Sequence, residues 1–536
     1  MLFLRGALEI FMRDYYEPRL LPRLLAGEKL PEIRSLAELN RAQPKVEIVK
    51  IDAEPGATSD RTKPSDTVSV IVEVSGSSEE FGLEDKKRRM ETGAYDLRLY
   101  RDGQLVTQFP AEVDESTEAG KTREQELASW RSTREVVDVK SGKKRITFSG
   151  IPLPRRAGVK EVEFSAYAFN VDRVKSETAR KKLEIPAGLT PRLGKAYIIT
   201  VGVNVFQNHH WSLSYAANDA REMGNTLKSR LEATIDSATK NKQYKDVIWV
   251  PLISDTEKDA TGEVVRDASG NPKLTVNNAT KDKIKAVLEV LAGRPIDAKR
   301  LQGIPDATLL ERANPEDLII IALSTHGEVD SRGRFYFLPH DIGTGDQLDD
   351  VMLKRAVSSE ELSAWIRQID AQDMVMIVDA CHSAASVKSK DFKPGPMGDR
   401  GLGQLAYDKR MRILAATQVD QYALETEQSK QGLLTYALVE DGLKKGKADF
   451  KPKDDKIMLS EWLSYAAERV PSLYKEWREC QDKAQNNGSG ECKLTAKTAT
   501  PLDNLPAELI SLQQPALFDF AKNRDVAISG GQLSRQ

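Results

Sequence analysis

Two stretches of the chain, DLIIIALS at 317–324 and MVMIVDA at 374–380, are almost unbroken apolar runs of strand length. A strand with one wet face alternates apolar and polar residues, so a continuous run belongs in a sheet covered on both sides. Such sheets are mostly parallel and use helices as crossovers. AYIITVGVN and DVIWVPLIS read as further strands of this kind. Helical patterns separate them: about 218–233, TKDKIKAVLEVLAG, and SSEELSAWIRQI, which opens on Ser358 with Glu361 as capping partner. Ligands of such sheets gather outside the carboxyl ends of the strands.

Upstream, the period changes to two. KVEIVKI, TVSVIVEVS, YDLRLYRDGQLVTQF, RITFSGI and EVEFSAYAFNV alternate, with Asp102-Gly103 where a hairpin turn belongs. Short strands with almost no helix predict an all-β, immunoglobulin-like sandwich over 44–187. The charged insert SSEEFGLEDKKRRMETG reads as a solvated loop. Residues 1–43 read as a helical N-terminal segment, with Ser35 and Glu38 as a capping box and Pro44 as its stop. Its abrupt opening suits a piece of a longer chain. An α/β domain is expected over 188–525 and a flexible tail over 526–536.

At 536 residues the chain exceeds one ordinary core, so several domains are required. A net charge of -2 gives no sign of a nucleic-acid partner, and no apolar run approaches membrane-spanning length. Arg5, Glu9 and Arg13 interrupt the opening apolar stretch, against a secretion signal, which leaves the cytoplasm as the default location. Three cysteines, Cys381, Cys480 and Cys492, are too few for a disulfide scaffold. The last two flank QDKAQNNGSGE without a zinc ligand set and are expected as free thiols.

Both long apolar runs end in reactive residues, the first in Thr325-His326-Gly327 and the second in Cys381-His382-Ser383. In a parallel sheet both would emerge at one edge. An imidazole beside a thiol of ordinary pKa near about 8.5 holds it as thiolate and later protonates the leaving amine. His326 is the expected acid and base, Cys381 the nucleophile, and the N–H groups of Gly327 and Cys381 the candidate oxyanion hole. His382 adjoins the nucleophile and points away, His340 reads as structural, and His209 and His210 as loop residues.

STHG, DACHS, ILAATQVDQYALE and GLLTYAL resemble the caspase-like superfamily of cysteine peptidases, especially metacaspases and bacterial orthocaspases. The resemblance covers roughly 190–450 and implies an α/β caspase-like fold with a mostly parallel sheet flanked by helices. It also implies that Asp219, Ser324 and Asp379 line a pocket for arginine or lysine at the cleavage site. The competing reading has Asp219 capping its helix and Asp379 holding a loop. Thr325 and Ala384 depart from the glycines of the family pattern. Calcium is a candidate ligand through Asp341, Asp349 and Asp350, but Lys388 stands where a further acid is expected, which favours no metal. A loop at about 387–411, carrying Lys388, Lys390, Lys393, Arg400, Lys409 and Arg410, is either a self-processing segment or an ordinary connection. Expected partners are protein substrates and a sensor or regulatory module. An aspartate-directed peptidase and a noncatalytic signalling scaffold are the competing functions.

Overall fold

The computed structural model describes the chain apart from residues 1–23, 26, 28–34, 36–37, 55–64, 82–86, 112–122, 237–238, 261–262, 269, 271, 330–333, 346–347, 381–399, 418–423, 427–428, 488–493, 497–512, 522–523 and 531–536. The helical segment expected over 1–43 lies almost wholly outside the described residues. Residues 1–192 with 314–316 form one compact unit, and 193–313 with 317–536 the other.

The first unit is built from strands β1 (Lys45–Ala53), β2 (Thr67–Ser75), β3 (Ser77–Phe81), β4 (Arg88–Thr92), β5 (Ala94–Arg101), β6 (Gln104–Phe109), β7 (Glu135–Val137), β8 (Lys143–Pro152), β9 (Glu161–Phe169) and β10 (Ala179–Glu184). One sheet has the order β1-β2-β8, and another has β10-β9-β5-β6 with β7 on β5. Both contribute to one core, since Val70, Val72 and Val74 of β2 cluster with Leu97, Leu99, Phe164 and Ala166 of β5 and β9. The period-two pattern is this burial, as every second residue of β2 faces inward. At the β5–β6 turn Asp102 and Gly103 both have positive φ, 49° and 76°, as a tight hairpin matched to strand twist requires.

Two expectations need correction here. The charged insert is an antiparallel ribbon, with Ser77 opposite Thr92 and Phe81 opposite Arg88. A helix, α1 (Arg123–Arg134), stands where almost none was expected. Its sequence is mostly charged, and its inward face rests on few side chains, chiefly Leu127 and Trp130, which join Tyr95, Tyr100, Tyr167 and Phe169.

The second unit centres on a seven-stranded sheet, β13-β12-β11-β14-β18-β19-β24. These are β11 (Ala196–Val203), β12 (Val247–Thr256), β13 (Leu274–Asn277), β14 (Leu318–Ser324), β18 (Asp373–Asp379), β19 (Arg412–Ala415) and β24 (Ala516–Asp519). The five inner strands run parallel, and β13 and β24 close the edges antiparallel. The continuous apolar runs are explained by cores on both faces. Ile319, Ile321 and Leu323 of β14 pack with helices α3 (Lys281–Leu291), α4 (Ser359–Arg367) and α5 (Arg400–Lys409). Leu318, Ile320 and Ala322 face α2 (Ala216–Ala233), α6 (Leu459–Asn487) and a π-helical segment, Tyr436–Lys444. Ser358 and Glu361 form the expected capping box of α4.

Three further expectations fall. Arg400–Lys409 is helical, with Leu402, Leu405 and Ala406 in the core and Lys409 fully buried, so the open connection expected through 411 ends before α5. Lys388, Lys390 and Lys393 lie outside the described residues. The tail expected to be flexible from 526 contains β25 (Ala527–Gly530), which pairs with β22 (Lys456–Met458) and buries Ile528 completely. Cys480 is disulfide-bonded rather than a free thiol. Among the described residues, no helix is long and apolar enough to cross a membrane.

The π-helical segment carries a buried carboxylate, Asp441, held by Lys445 Nζ at 2.9 Å and Arg469 Nε at 2.8 Å. Burial pushes its pKa up, but these two cationic donors outweigh burial and leave it below the usual aspartate value. A depressed carboxylate stabilises the fold above its unfolded pKa, and that contribution disappears as pH falls through the folded value. Asp441→Asn is therefore expected to cost about 1–3 kcal/mol at pH 7. Thermal melts of mutant and wild type should converge as the pH falls below the ordinary aspartate range of about 4.

Candidate active site

The carboxyl ends of β14 and β18 form the site. These strands are parallel neighbours in a register that pairs Ser324 with Asp379. Each belongs, by alternation, to the sheet face that α2 covers, because Ile320 and Ala322 share parity with Ser324, and Val375 and Ile377 with Asp379. His326 follows the first of the paired residues by two positions, and Cys381 follows the second by two. Cys381 itself lies outside the described residues.

His326 is fully buried, with Phe206 at 5.2 Å between ring centroids and Trp211 edge-on at 6.0 Å. Its Nε2 lies 2.7 Å from the main-chain carbonyl of Trp211. A carbonyl only accepts, so Nε2 carries the hydrogen and Nδ1 is the nitrogen able to take a proton. Gly327 begins β15 (Gly327–Val329) and pairs with Phe337 of β16 (Phe335–Phe337). Thr325 is held by its hydroxyl, which donates to the carbonyl of Leu338 at 2.6 Å.

The acidic residues gather on the α2 side. Asp219 is 2% exposed, in the first turn of α2. Ser324 Oγ donates to its Oδ2 at 3.2 Å, and the main-chain N–H of Gly432 donates to its Oδ1 at 3.0 Å. The helix is capped at Tyr215, so Asp219 stands inside the first turn rather than at the cap. Asp379 is 3% exposed beside Ser324. A third carboxylate, Glu425 of β20 (Leu424–Thr426), is also buried and lies opposite Gly432 of β21 (Gln431–Gly432).

The structure thus brings Asp219, Ser324 and Asp379 together and adds two participants that sequence reasoning missed. Glu425 lies inside the motif ILAATQVDQYALE, but nothing in its own neighbours marks it as inward-facing. Trp211 acts through its backbone, which no side-chain pattern announces. Of the calcium candidates, Asp341 Oδ1 accepts from the N–H of Lys281 at the start of α3, and Asp349 caps the short helix Asp350–Leu353 that Asp350 opens. No group of three or more potential metal ligands occurs among the described residues. His209 and His210 are exposed in a 3₁₀ turn, His209–Trp211. His340 is buried with Nδ1 donating to the carbonyl of Val205 at 2.6 Å.

Five parallel strands covered by helices on both faces, with His326 just beyond the end of β14 and buried carboxylates beside it, define an α/β domain with a polar rim. The family model described as the caspase domain matches residues 194–495, more than half the chain, and the protein belongs to that family. No curated protein matches it in sequence. Among solved structures, one described as "structure of pro-sf-caspase-1" is 11% identical, with 63% of this chain and 92% of that one covered and a TM-score of 0.31. Another, a β-glucuronidase from Bifidobacterium dentium complexed with coumarin-3-O-glucuronide, is 8% identical, with 62% and 43% covered and a TM-score of 0.13. Scores this low carry no structural argument, and the family assignment rests on the domain match.

The placement of Asp219 depends on close packing of α2 against β11. A Cβ on Gly202 would lie 2.6 Å from the carbonyl oxygen of Ala216 and 2.7 Å from Ala220 Cβ. Both are parts of α2 that cannot swing aside, so Gly202→Ala must displace the helix. The expected loss is about 1–3 kcal/mol, read as a lower melting temperature in calorimetry.

Proposed function

We propose that the protein is a cysteine endopeptidase that cleaves after arginine or lysine, with Cys381 as nucleophile and His326 as acid and base. The observation that carries this reading is the in-register pair Ser324–Asp379, with Asp219 hydrogen-bonded to Ser324 on the same side of the sheet. Asp219, Asp379 and Glu425 are buried acidic residues of this part of the domain, and their charge suits a cationic side chain. An arginine or lysine side chain entering among them supplies the positive charge, and a guanidinium adds bidentate geometry. An aspartate at the cleavage site would instead be repelled.

In this mechanism His326, held by the Trp211 carbonyl, takes the Cys381 proton on Nδ1. The thiolate attacks the substrate carbonyl, and the N–H groups of Gly327 and Cys381 receive the developing oxyanion. His326 returns the proton to the departing amine and leaves a thioester. Water, deprotonated by the same imidazole, hydrolyses the thioester and frees the enzyme. The chain's lysines at 388, 390 and 393 are candidate self-processing positions, and an upstream sensor is a candidate regulator. We read the first unit as an immunoglobulin-like module serving such regulation.

The test compares wild type with Cys381→Ala against a peptide library. Wild type should cleave after arginine and lysine, and Cys381→Ala should show no turnover. Cleavage confined to aspartate peptides, or turnover that survives Cys381→Ala, overturns the reading. Within the pocket, Asp219→Asn and Glu425→Gln should each lower kcat/KM for arginyl peptides by about tenfold to a hundredfold, the equivalent of one charge-assisted contact. Fluorogenic arginyl substrates measure this directly.

A further inference from the structure

A loop carbonyl is only as well placed as the backbone that carries it, and the carbonyl of Trp211 belongs to the loop leaving β11. That loop is fastened at two side chains. Asn208 Oδ1 accepts from the N–H of His210 at 3.0 Å and so starts the turn His209–Trp211, while its Nδ2 reaches the carbonyls of Gly345 at 2.9 Å and Thr344 at 3.3 Å. Trp211 Nε1 donates to the same Gly345 carbonyl at 3.2 Å. Asn208 and Trp211 are 7% and 3% exposed. The two residues flank the turn and converge on one acceptor, which fixes the peptide between them in both position and rotation.

Taking the peptidase reading as its basis, we infer that Asn208 and the Trp211 indole are positioning residues for His326. By fastening the turn to Thr344 and Gly345, they hold the Trp211 carbonyl where it selects the Nε2–H tautomer and leaves Nδ1 as the base. Neither side chain touches the reacting atoms. Without the fastening, the carbonyl moves away from Nε2, and the imidazole between Phe206 and Trp211 loses the contact that marks Nε2 as the protonated nitrogen. Misplacement of a catalytic group by about 1 Å costs about a hundredfold in rate.

Two variants of the full chain test this. Asn208→Asp keeps the acceptor for His210 but sets an oxygen against two carbonyls. Trp211→Phe keeps an aromatic edge beside the imidazole and removes the N–H along with part of the ring. In either variant kcat is expected to fall at least about tenfold while KM stays within about twofold, because substrate binding is untouched and only the base is misplaced. The ring is read independently by long-range ¹H–¹⁵N spectra of histidine-labelled protein, in which His326 is assigned among five histidines from the spectrum of His326→Gln. Wild type should give the Nε2–H pattern and each variant a mixture. This spectral arm does not depend on turnover, so an inactive wild type would defeat the peptidase reading without touching it. A pure Nε2–H pattern in the folded variants overturns the inference, whether or not kcat falls. If one variant does not fold, the other decides.

Discussion

Everything at the candidate site depends on the pairing of β14 with β18. Seven consecutive residue pairs run from Leu318–Asp373 to Ser324–Asp379 without a bulge. A one-residue slip would send every side chain of one strand to the opposite face and trade its apolar packing between the two cores. Apolar residues on both faces therefore fix the register, and the register fixes which residues sit side by side at the rim. Stability and chemistry are coupled at this point: the sheet cannot change its pairing to tune the site, so adjustment has to come from the loops beyond it.

Those loops divide the work. The loop after β11 carries the carbonyl that bonds His326, and the turn at Gly432 supplies an N–H to Asp219. A carboxylate inside a protein is tolerated when donors solvate it in place of water. Ser324 and Gly432 are two such donors to Asp219. By contrast, Asp441 elsewhere in the same unit is met by Lys445 and Arg469.

Much of this was legible in the sequence. Continuous apolar runs specify a sheet covered on both faces, and a residue at the end of such a run goes to the rim, so His326, Ser324 and Asp379 could be placed by counting. Asp102-Gly103 and the Ser358–Glu361 box were equally readable, because each encodes its own local geometry. Other features depend on partners far along the chain. Glu425 is turned inward by pairing with Gly432, and α1 is stabilised by aromatic residues from β5 and β9 rather than by its own composition. β25 is a strand because β22 offers it an edge. The Trp211 carbonyl has no side-chain signature at all.

The bond at Cys480 has a practical consequence for handling the protein. Thiol peptidases are usually kept active with reductant, which here would also open the cross-link at the far end of α6. One reagent thus acts on two sulfur populations with opposite needs. Mild, potential-buffered conditions, rather than excess dithiothreitol, are the ones in which both sulfur states coexist.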